Sequence, residues 1–263
     1  MFIYESYKSR SISVIVPFYK EGEQIKKNIK ILEDELKQHF LNYEVIAVSD
    51  GGKNETYQWI LELKNIYPRL RVYEYGKNKG KGFALKYGFE KSKGDYIFFI
   101  DADMEIHPKE IKTFFDLMNK HDMDIIIGSK RHPQSEINYP FIRRFLSRIY
   151  QFIIKIFLDL NIKDTQVGLK LFKRQVLTDC LPRVLVKKYA FDLELLTVAN
   201  HLGYKKILEA PIKLDFKKNI TSNPIKDLIH TFRVGWPLLV DTLAIIYRLK
   251  VLKYYDKVQY KVQ

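Results

Sequence analysis

The sequence has a single cysteine and no secretory leader pattern. Cys180 is the only cysteine among 263 residues, which excludes an intramolecular disulfide and is compatible with a reducing compartment. The first ten residues carry Glu5, Lys8 and Arg10 and lack the apolar segment of a signal peptide. We therefore expect the protein to stay in the cytoplasm.

Long apolar runs are also missing. The longest charge-poor stretch near the end, residues 234–247, is interrupted by Asp241 and falls short of the roughly 20 residues that a membrane-spanning helix needs. We predict that residues 224–263 form amphipathic, basic helices on the cytoplasmic face of a membrane, in a peripheral or monotopic arrangement. Packing of the same apolar face on the core, or on a second copy in a homo-oligomer, is the alternative.

Negative charge is scarce relative to positive charge. The chain has 45 Lys and Arg against 31 Asp and Glu, a formal net charge of +14. Such an excess favours an anionic partner, which is nucleic acid, lipid head groups or a phosphorylated substrate. Many of the basic residues lie between residues 143 and 174, in a region that also holds apolar segments.

Strand-like and helix-like segments alternate over the first half of the chain. The apolar runs are residues 11–16, 43–48, 70–75, 96–101 and 124–128, and helical patterns separate them. Alternation of this kind predicts an α/β fold with a mostly parallel sheet flanked by helices. We assign residues 1–223 to this domain, including an interfacial helix at about 138–160.

Polar residues follow three of these strands. They occupy residues 17–21, 49–56 and 101–105, and ligands of open α/β sheets bind at the carboxyl ends of the strands. Asp101 and Asp103 supply hard oxygen ligands for Mg²⁺ or Mn²⁺, which commonly accompany phosphate-bearing substrates. For the Asp-x-Asp pair alone, a solvated turn or a helix cap is the alternative.

The glycine-flanked Lys81 is a second candidate contact for phosphate. Gly80 and Gly82 allow close approach of the backbone to a ligand, or a tight helix start. The segment departs from the Walker and dinucleotide-binding patterns. An ordinary loop with a helix cap remains the alternative.

These segments together resemble the family 2 glycosyltransferases of the GT-A fold, with its Rossmann-like sheet. Within that family they resemble the polyprenyl-phosphate and dolichyl-phosphate mannosyl- and glucosyltransferases, over residues 11–215. The matching motifs are Val16-Pro17-Phe18-Tyr19-Lys20-Glu21, Asp50-Gly51-Gly52, Asn78-Lys79-Gly80-Lys81-Gly82, Asp101-Ala102-Asp103, Gly128-Ser129-Lys130-Arg131, and Arg143 with Ser147-Arg148. Asp164-Thr165-Gln166-Val167-Gly168 and Phe191-Asp192-Leu193-Glu194-Leu195-Leu196 narrow the resemblance to enzymes that act on lipid phosphates.

The resemblance implies a role for each site residue. The nucleotide pocket comprises Pro17, Tyr19, Glu21, Val48 and Asp50, with Lys81 near the phosphates; for Glu21 a helix-dipole charge and for Asp50 a turn remain alternatives. The metal site comprises Asp101 and Asp103, with Ala102 between them, and Glu105 either adds a third oxygen ligand or faces solvent. The acceptor phosphate is assigned to Lys130, Arg143, Ser147 and Lys170, with Arg143 and Lys170 counted as catalytic beside the two aspartates. Arg131 is counted among the substrate-binding residues. Asp164, Gln166, Asp192 and Glu194 organise the acceptor loop and the sugar pocket.

The implied reaction is an inverting transfer of a hexose from GDP-mannose or UDP-glucose to a polyprenyl or dolichyl phosphate, with Mg²⁺ or Mn²⁺. The sequence departs from the family pattern at Ser49, Gly52 and Asn54, so it does not determine which nucleobase the donor carries. His132-Pro133 slightly favours the glucosyl relatives. One alternative is a family 2 enzyme with a glycan, protein or diacylglycerol acceptor. The other is a basic nucleic-acid-binding protein, which charge alone supports and for which we find no recognised motif.

Overall fold

The five alternating apolar runs of the sequence form five strands of one seven-stranded sheet in the computed structural model, and two later segments supply the other two strands. The structure describes residues 10–130, 132, 150–151, 153–188, 190–213 and 224–257, with the backbone alone for 224–234. The strands are β1 (Ile12–Phe18), β2 (Tyr43–Asp50), β3 (Leu70–Tyr75), β4 (Tyr96–Ile100), β5 (Ile125–Ser129), β6 (Leu169–Lys173) and β7 (Ile207–Pro211). Their order across the sheet is β3-β2-β1-β4-β6-β5-β7.

The first four strands are parallel, as the sequence predicts. β1 pairs with β2 and β4, and β2 pairs with β3, so the carboxyl ends of all four meet at one edge. β6 runs antiparallel between β4 and β5, a reversal that the sequence pattern did not indicate. Parallel pairing still predominates, and the predicted mostly parallel α/β sheet is confirmed.

Helices cover both faces of this sheet. They are α1 (Gln24–His39), α2 (Glu55–Leu63), α3 (Lys81–Lys91), α4 (Glu110–His121), α5 (Arg174–Cys180), α6 (Phe191–His201), α7 (Pro224–Lys250) and α8 (Tyr254–Lys257). A 3₁₀ turn, Leu181–Arg183, follows α5. Residues 150–151 and 153–158 are also helical and belong to the helix predicted at about 138–160, whose earlier part lies outside the described residues.

Apolar side chains pack in two clusters, one on each face of the sheet. Ile25, Ile29 and Leu32 of α1 are buried in the first cluster, as their helical spacing predicts. The second cluster contains α3 and α6. Gly88 lets α3 approach the sheet closely, because a Cβ atom there would lie 2.5 Å from the side chain of Ile15.

The buried helix α6 is joined to the C-terminal helices through Glu194. One oxygen of this fully buried carboxylate accepts hydrogen bonds from the backbone N–H groups of Leu185 and Val186, at 2.8 and 2.6 Å. The other oxygen accepts from Arg248 of α7 and from Tyr255 of α8, both at 2.7 Å. One carboxylate therefore fixes both the loop before α6 and the tail of the protein.

Helix α7 has one buried and one exposed apolar side. Ile245 is fully buried, while an exposed stripe, defined here as the α7 stripe, consists of Trp236, Val240, Leu243 and Tyr247. Their spacing of three and four residues places these side chains on one face of the helix. Among the described residues, no helix combines the length and apolar character needed to cross a membrane.

Candidate active site

The loop after β3 is fixed by Asp50 at the end of β2. The Asp50 carboxylate accepts hydrogen bonds from the backbone N–H groups of Lys79 at 2.7 Å and Gly80 at 2.9 Å. It also accepts from the Tyr75 hydroxyl at 2.9 Å; burial and the Asp50 charge both raise the pKa of Tyr75. Asp50 therefore holds the start of α3 against the edge of the sheet.

The other residues predicted for a nucleotide pocket separate into buried and exposed groups. Pro17 is buried in β1, and Val48 is fully buried among core side chains in β2. Tyr19 lies at the edge and is 38% exposed, next to the partly buried Glu21. Gly51 has a φ of 135°, and a Cβ atom there would lie 2.6 Å from the Tyr19 ring, so glycine is required beneath this tyrosine.

A cleft opens beside the carboxyl end of β4. Five residues predicted from the sequence line it, and they come from three separate segments of the chain: Asp101, Asp103, Glu105, Lys130 and Gln166. The cleft is open to solvent, and its cavity volume of about 50 Å³ is well below the roughly 300 Å³ of pockets that enclose a small molecule. The structure thus brings the Asp-x-Asp motif together with Lys130 and with the Asp-Thr-Gln-x-Gly motif.

Gly168 and Asn28 shape the Asp-x-Asp turn, and neither received a role from the sequence. The backbone N–H of Asp101 donates to the Gly168 carbonyl at 3.1 Å, and a Cβ atom at position 168 would lie 2.5 Å from Asp101 Oδ2. The Asn28 amide donates to the carbonyl of Ala102 at 2.9 Å. The available signals were a glycine that closes a motif and an asparagine on the apolar side of α1.

Two lysine–aspartate pairs lie behind the cleft. Lys81 pairs with Asp101, and Lys170 pairs with Asp192 at 2.8 Å. Burial lowers the pKa of Lys81, but the charges of Asp101, Asp192 and Asp103 outweigh it and hold that pKa above its ordinary value. Each of these two lysine charges is therefore paired with an aspartate charge behind the cleft.

The predicted acceptor residues have different surroundings. Lys170 is 1% exposed, and its ammonium also donates to the carbonyl of Val167, so it serves the protein interior rather than the cleft surface. Glu194 binds the loop before α6 and the tail helices. Arg131, Arg143 and Ser147 lie outside the described residues.

Asp164 supports the cleft from behind. Its carboxylate accepts hydrogen bonds from the backbone N–H groups of Lys130 at 3.2 Å and Gln166 at 3.3 Å. Burial raises the pKa of the Asp164 carboxyl, against the opposing charge of Lys130. This residue therefore positions two cleft residues, and its predicted contact with substrate stays a prediction.

The carboxylates of the cleft suit a hard divalent cation with few protein ligands. No group of three or more His, Cys, Asp or Glu side chains arranged for a metal occurs in the described part of the chain, and a contribution of Glu105 to the metal site stays a prediction. Asp101 and Asp103 both line the cleft. Mg²⁺ is commonly held by one or two carboxylates together with waters and substrate phosphates, and this donor set fits that pattern.

Comparison with known proteins identifies related sequences. The model of glycosyl transferase family 2 matches residues 13–181. A dolichyl-phosphate beta-glucosyltransferase of Dictyostelium discoideum is 31% identical over 205 residues, which cover 73% of this chain and 63% of that protein. Dolichyl-phosphate beta-glucosyltransferase ALG5A of Trichomonas vaginalis is 30% identical over 230 residues, covering 82% and 70% respectively. The chain thus spans less than two thirds of the Dictyostelium protein.

Solved structures share the fold at low sequence identity. Glucosyl-3-phosphoglycerate synthase from Mycobacterium tuberculosis, in complex with Mn²⁺, UDP-glucose and phosphoglyceric acid, gives a TM-score of 0.66 at 18% identity, covering 93% of this chain and 81% of that chain. Mannosyl-3-phosphoglycerate synthase from Rubrobacter xylanophilus gives 0.64 at 13% identity, covering 95% and 76%. These likenesses confirm the expected GT-A fold.

Proposed function

Because this chain belongs to the family 2 glycosyltransferases, we propose that it transfers a hexose from a nucleoside diphosphate sugar to the phosphate of a polyprenyl or dolichyl phosphate. The observation that carries the proposal is the cleft that joins Asp101 and Asp103 to Lys130 and Gln166. The names of the two curated relatives favour glucose as the sugar, with GDP-mannose as the alternative donor. Because family 2 consists of enzymes, membership in it favours the transferase over the nucleic-acid-binding protein that was the second alternative.

The donor nucleotide is proposed to lie along the edge formed by β1 and β2. Tyr19 is exposed there, and its aromatic face offers a stacking surface for a base. Asp50 is already engaged by three donors, so it contributes by fixing the loop that carries Lys81. That lysine is proposed to contact the donor diphosphate.

Asp101 and Asp103 would hold Mg²⁺ or Mn²⁺ against the diphosphate. A divalent ion bound there would neutralise the negative charge that develops on the leaving nucleoside diphosphate. Gly168 and Asn28 keep the Asp-x-Asp turn in place, so that the two carboxylates need no rearrangement during the reaction.

The acceptor phosphate needs orientation more than deprotonation. The second pKa of a phosphate monoester is about 6, so the acceptor is largely ionised near neutral pH and attacks without a strong general base. Lys130 lines the cleft and is proposed to hold this phosphate, with Arg143 and Ser147 as further candidates from the sequence. In-line attack on an α-linked donor then inverts the anomeric centre.

The α7 stripe is proposed to place the enzyme on a lipid surface. Trp236 and Tyr247 at its two ends are aromatic residues of the kind enriched at membrane interfaces. Basic residues, Lys250 and Lys253, follow directly and are exposed, which complements anionic head groups. Residues 1–223 would then form the catalytic domain and residues 224–263 the membrane-associating segment.

Vesicle binding tests this placement. Leu243→Glu should reduce retention on vesicles with anionic head groups by roughly tenfold, because one leucine side chain no longer enters the lipid. Ile66→Glu is the matched control, since Ile66 is similarly exposed but lies outside α7. If Leu243→Glu changes the sedimentation coefficient and leaves vesicle retention intact, a second copy of the chain covers the stripe and the membrane proposal is wrong.

A substrate panel tests the transfer reaction. UDP-glucose and GDP-mannose are each incubated with dolichyl or undecaprenyl phosphate, and with glycan, protein and diacylglycerol acceptors, in the presence of Mn²⁺ or a chelator. Asp103→Ala should lower lipid glycosylation by roughly 100-fold or more and leave the unfolding midpoint near that of wild type. Glu62→Ala, at an exposed carboxylate of α2, should change neither. Full transfer in the presence of the chelator would refute the metal-dependent mechanism.

A further inference from the structure

Lys81 occupies an unusual place at the start of α3. It is the first residue of the helix, where the helix dipole favours negative side chains and disfavours a cation. No acidic residue lies in this first turn. Helix stability therefore does not account for a lysine at this position, and its contacts point elsewhere.

The Lys81 ammonium lies among the carboxylates of the cleft. It forms an ion pair with Asp101, and the charges of Asp192 and Asp103 act on it as well. The proposed metal ligands are Asp101 and Asp103, so the lysine occupies part of the negative field that a divalent ion would use. Two cations this close repel each other, so both cannot keep Asp101 as their nearest partner.

The backbone around Lys81 is fixed while its side chain is long. Gly80 donates to Asp50 at 2.9 Å, and Gly82 donates to the carbonyl of Lys187 at 2.9 Å. Cβ atoms at the two glycines would lie 2.4 Å from Lys187 O and from the Phe191 ring, respectively. Lysine has a flexible four-carbon stem, and the Lys81 side chain is 37% exposed, so a change of partner by the ammonium requires no movement of the helix.

We infer that Lys81 is the resident counter-ion of the Asp-x-Asp carboxylates: it competes with the divalent metal for Asp101 and transfers its contact to the donor diphosphate when the metal binds. This inference rests on the proposed function. The ammonium prevents repulsion between Asp101 and Asp103 before substrate arrives. It then adds positive charge to the diphosphate, next to the metal that has taken its former partner.

The two contacts make opposite predictions for one substitution. Lys81→Met should tighten the binding of Mn²⁺ alone by at least about tenfold, because a competing cation is removed. The same variant should weaken the binding of UDP or GDP at saturating Mn²⁺ by about tenfold, because a charge-assisted contact is lost. A lysine that only contacts phosphate would produce the second change without the first.

Binding measurements test this without use of turnover. Free Mn²⁺ is followed by electron paramagnetic resonance during titration of the full chain, and UDP and GDP are then titrated by calorimetry. Lys81→Arg keeps the positive charge and should leave Mn²⁺ affinity within about threefold of wild type. Lys86→Met is the matched control on the same helix, since Lys86 donates to the Leu181 carbonyl, and neither affinity should change.

The results separate this inference from the function on which it rests. Unchanged or weaker Mn²⁺ binding by Lys81→Met, with wild type binding both Mn²⁺ and nucleotide, overturns the counter-ion role and leaves the transferase proposal standing. Absence of Mn²⁺ binding by wild type even with nucleotide overturns the proposed metal site and this inference together. Should Lys81→Met fail to fold, Lys81→Gln supplies the same loss of charge with a polar side chain, and the same two affinities decide.

Discussion

The buried pair of Lys170 and Asp192 gives the sharpest test of the interior behind the cleft. The two side chains are 2% and 7% exposed, and 2.8 Å separates the ammonium from the carboxylate. Removal of one partner from a buried pair costs about 3–5 kcal/mol, because the other charge is left unpaired. The charge of Asp192 also acts on Lys81, which compensates in part, so we expect Lys170→Met to cost about 3 kcal/mol.

Urea unfolding of four proteins measures this coupling. Wild type, Lys170→Met, Asp192→Asn and the double variant form a double-mutant cycle, in which the double variant should cost less than the two single costs added together. Lys173→Met is a matched control on the same strand. Its side chain is 33% exposed and paired with Asp122 and Asp124, so we expect a loss below about 1 kcal/mol.

The opposite result would assign Lys170 a different role. If Lys170→Met unfolds at the wild-type urea concentration while transfer to the lipid phosphate is lost, the ammonium contacts substrate, as the family resemblance suggested. Costs that simply add in the double variant would show that Lys170 and Asp192 act independently. Either outcome refutes the argument from burial.

Three further predictions address separate parts of the protein. Burial raises the pKa of Glu33 from 4.5 to about 7, so the folded state holds this proton more tightly and stability falls as pH rises between those values. In Glu33→Gln, the fall in the free energy of unfolding over this pH range should be smaller by up to about 3 kcal/mol. If the free energy of unfolding in urea changes equally with pH in both proteins, this prediction is wrong. Gly168→Ala should push Asp101 aside and lower kcat/KM at least about tenfold; unchanged kinetics would show that the turn adapts. Arg248→Met should leave Glu194 with one charged partner fewer and speed hydrogen exchange at residues 185–186, and unchanged exchange rates would count against the shared-carboxylate description.

The parts of the fold that follow from local patterns were predictable. Apolar runs of strand length alternate with helical spacing, and a parallel sheet follows because each helix returns the chain to the end of the sheet where the previous strand began. The same logic placed residues 17–21, 49–56 and 101–105 at one edge, where the structure has them. The cleft residues Lys130 and Gln166 were found through motifs, since neither their periodicity nor their charge distinguishes them from surface residues.

The features that depend on distant partners were not predictable. β6 has the sequence of an ordinary short strand, and none of its own residues indicates the antiparallel pairing with β4 and β5. The family resemblance assigned Lys170 to the acceptor phosphate, and that role stays a prediction. The sequence did not indicate that Asp192 is its ion-pair partner. Glu194 and Arg248 are 54 positions apart, and no sequence pattern indicates that such residues meet.

The shared carboxylate of Glu194 also bears on the order in which the molecule is completed. During synthesis the N-terminal part of a chain emerges first, so α6 is available well before Arg248 and Tyr255 leave the ribosome. Until then this carboxylate has its two backbone donors but neither tail partner, and burying it is costly. Chains that end before Arg248 therefore lack both tail partners of Glu194, and the buried region around this carboxylate should open more readily than in the full chain.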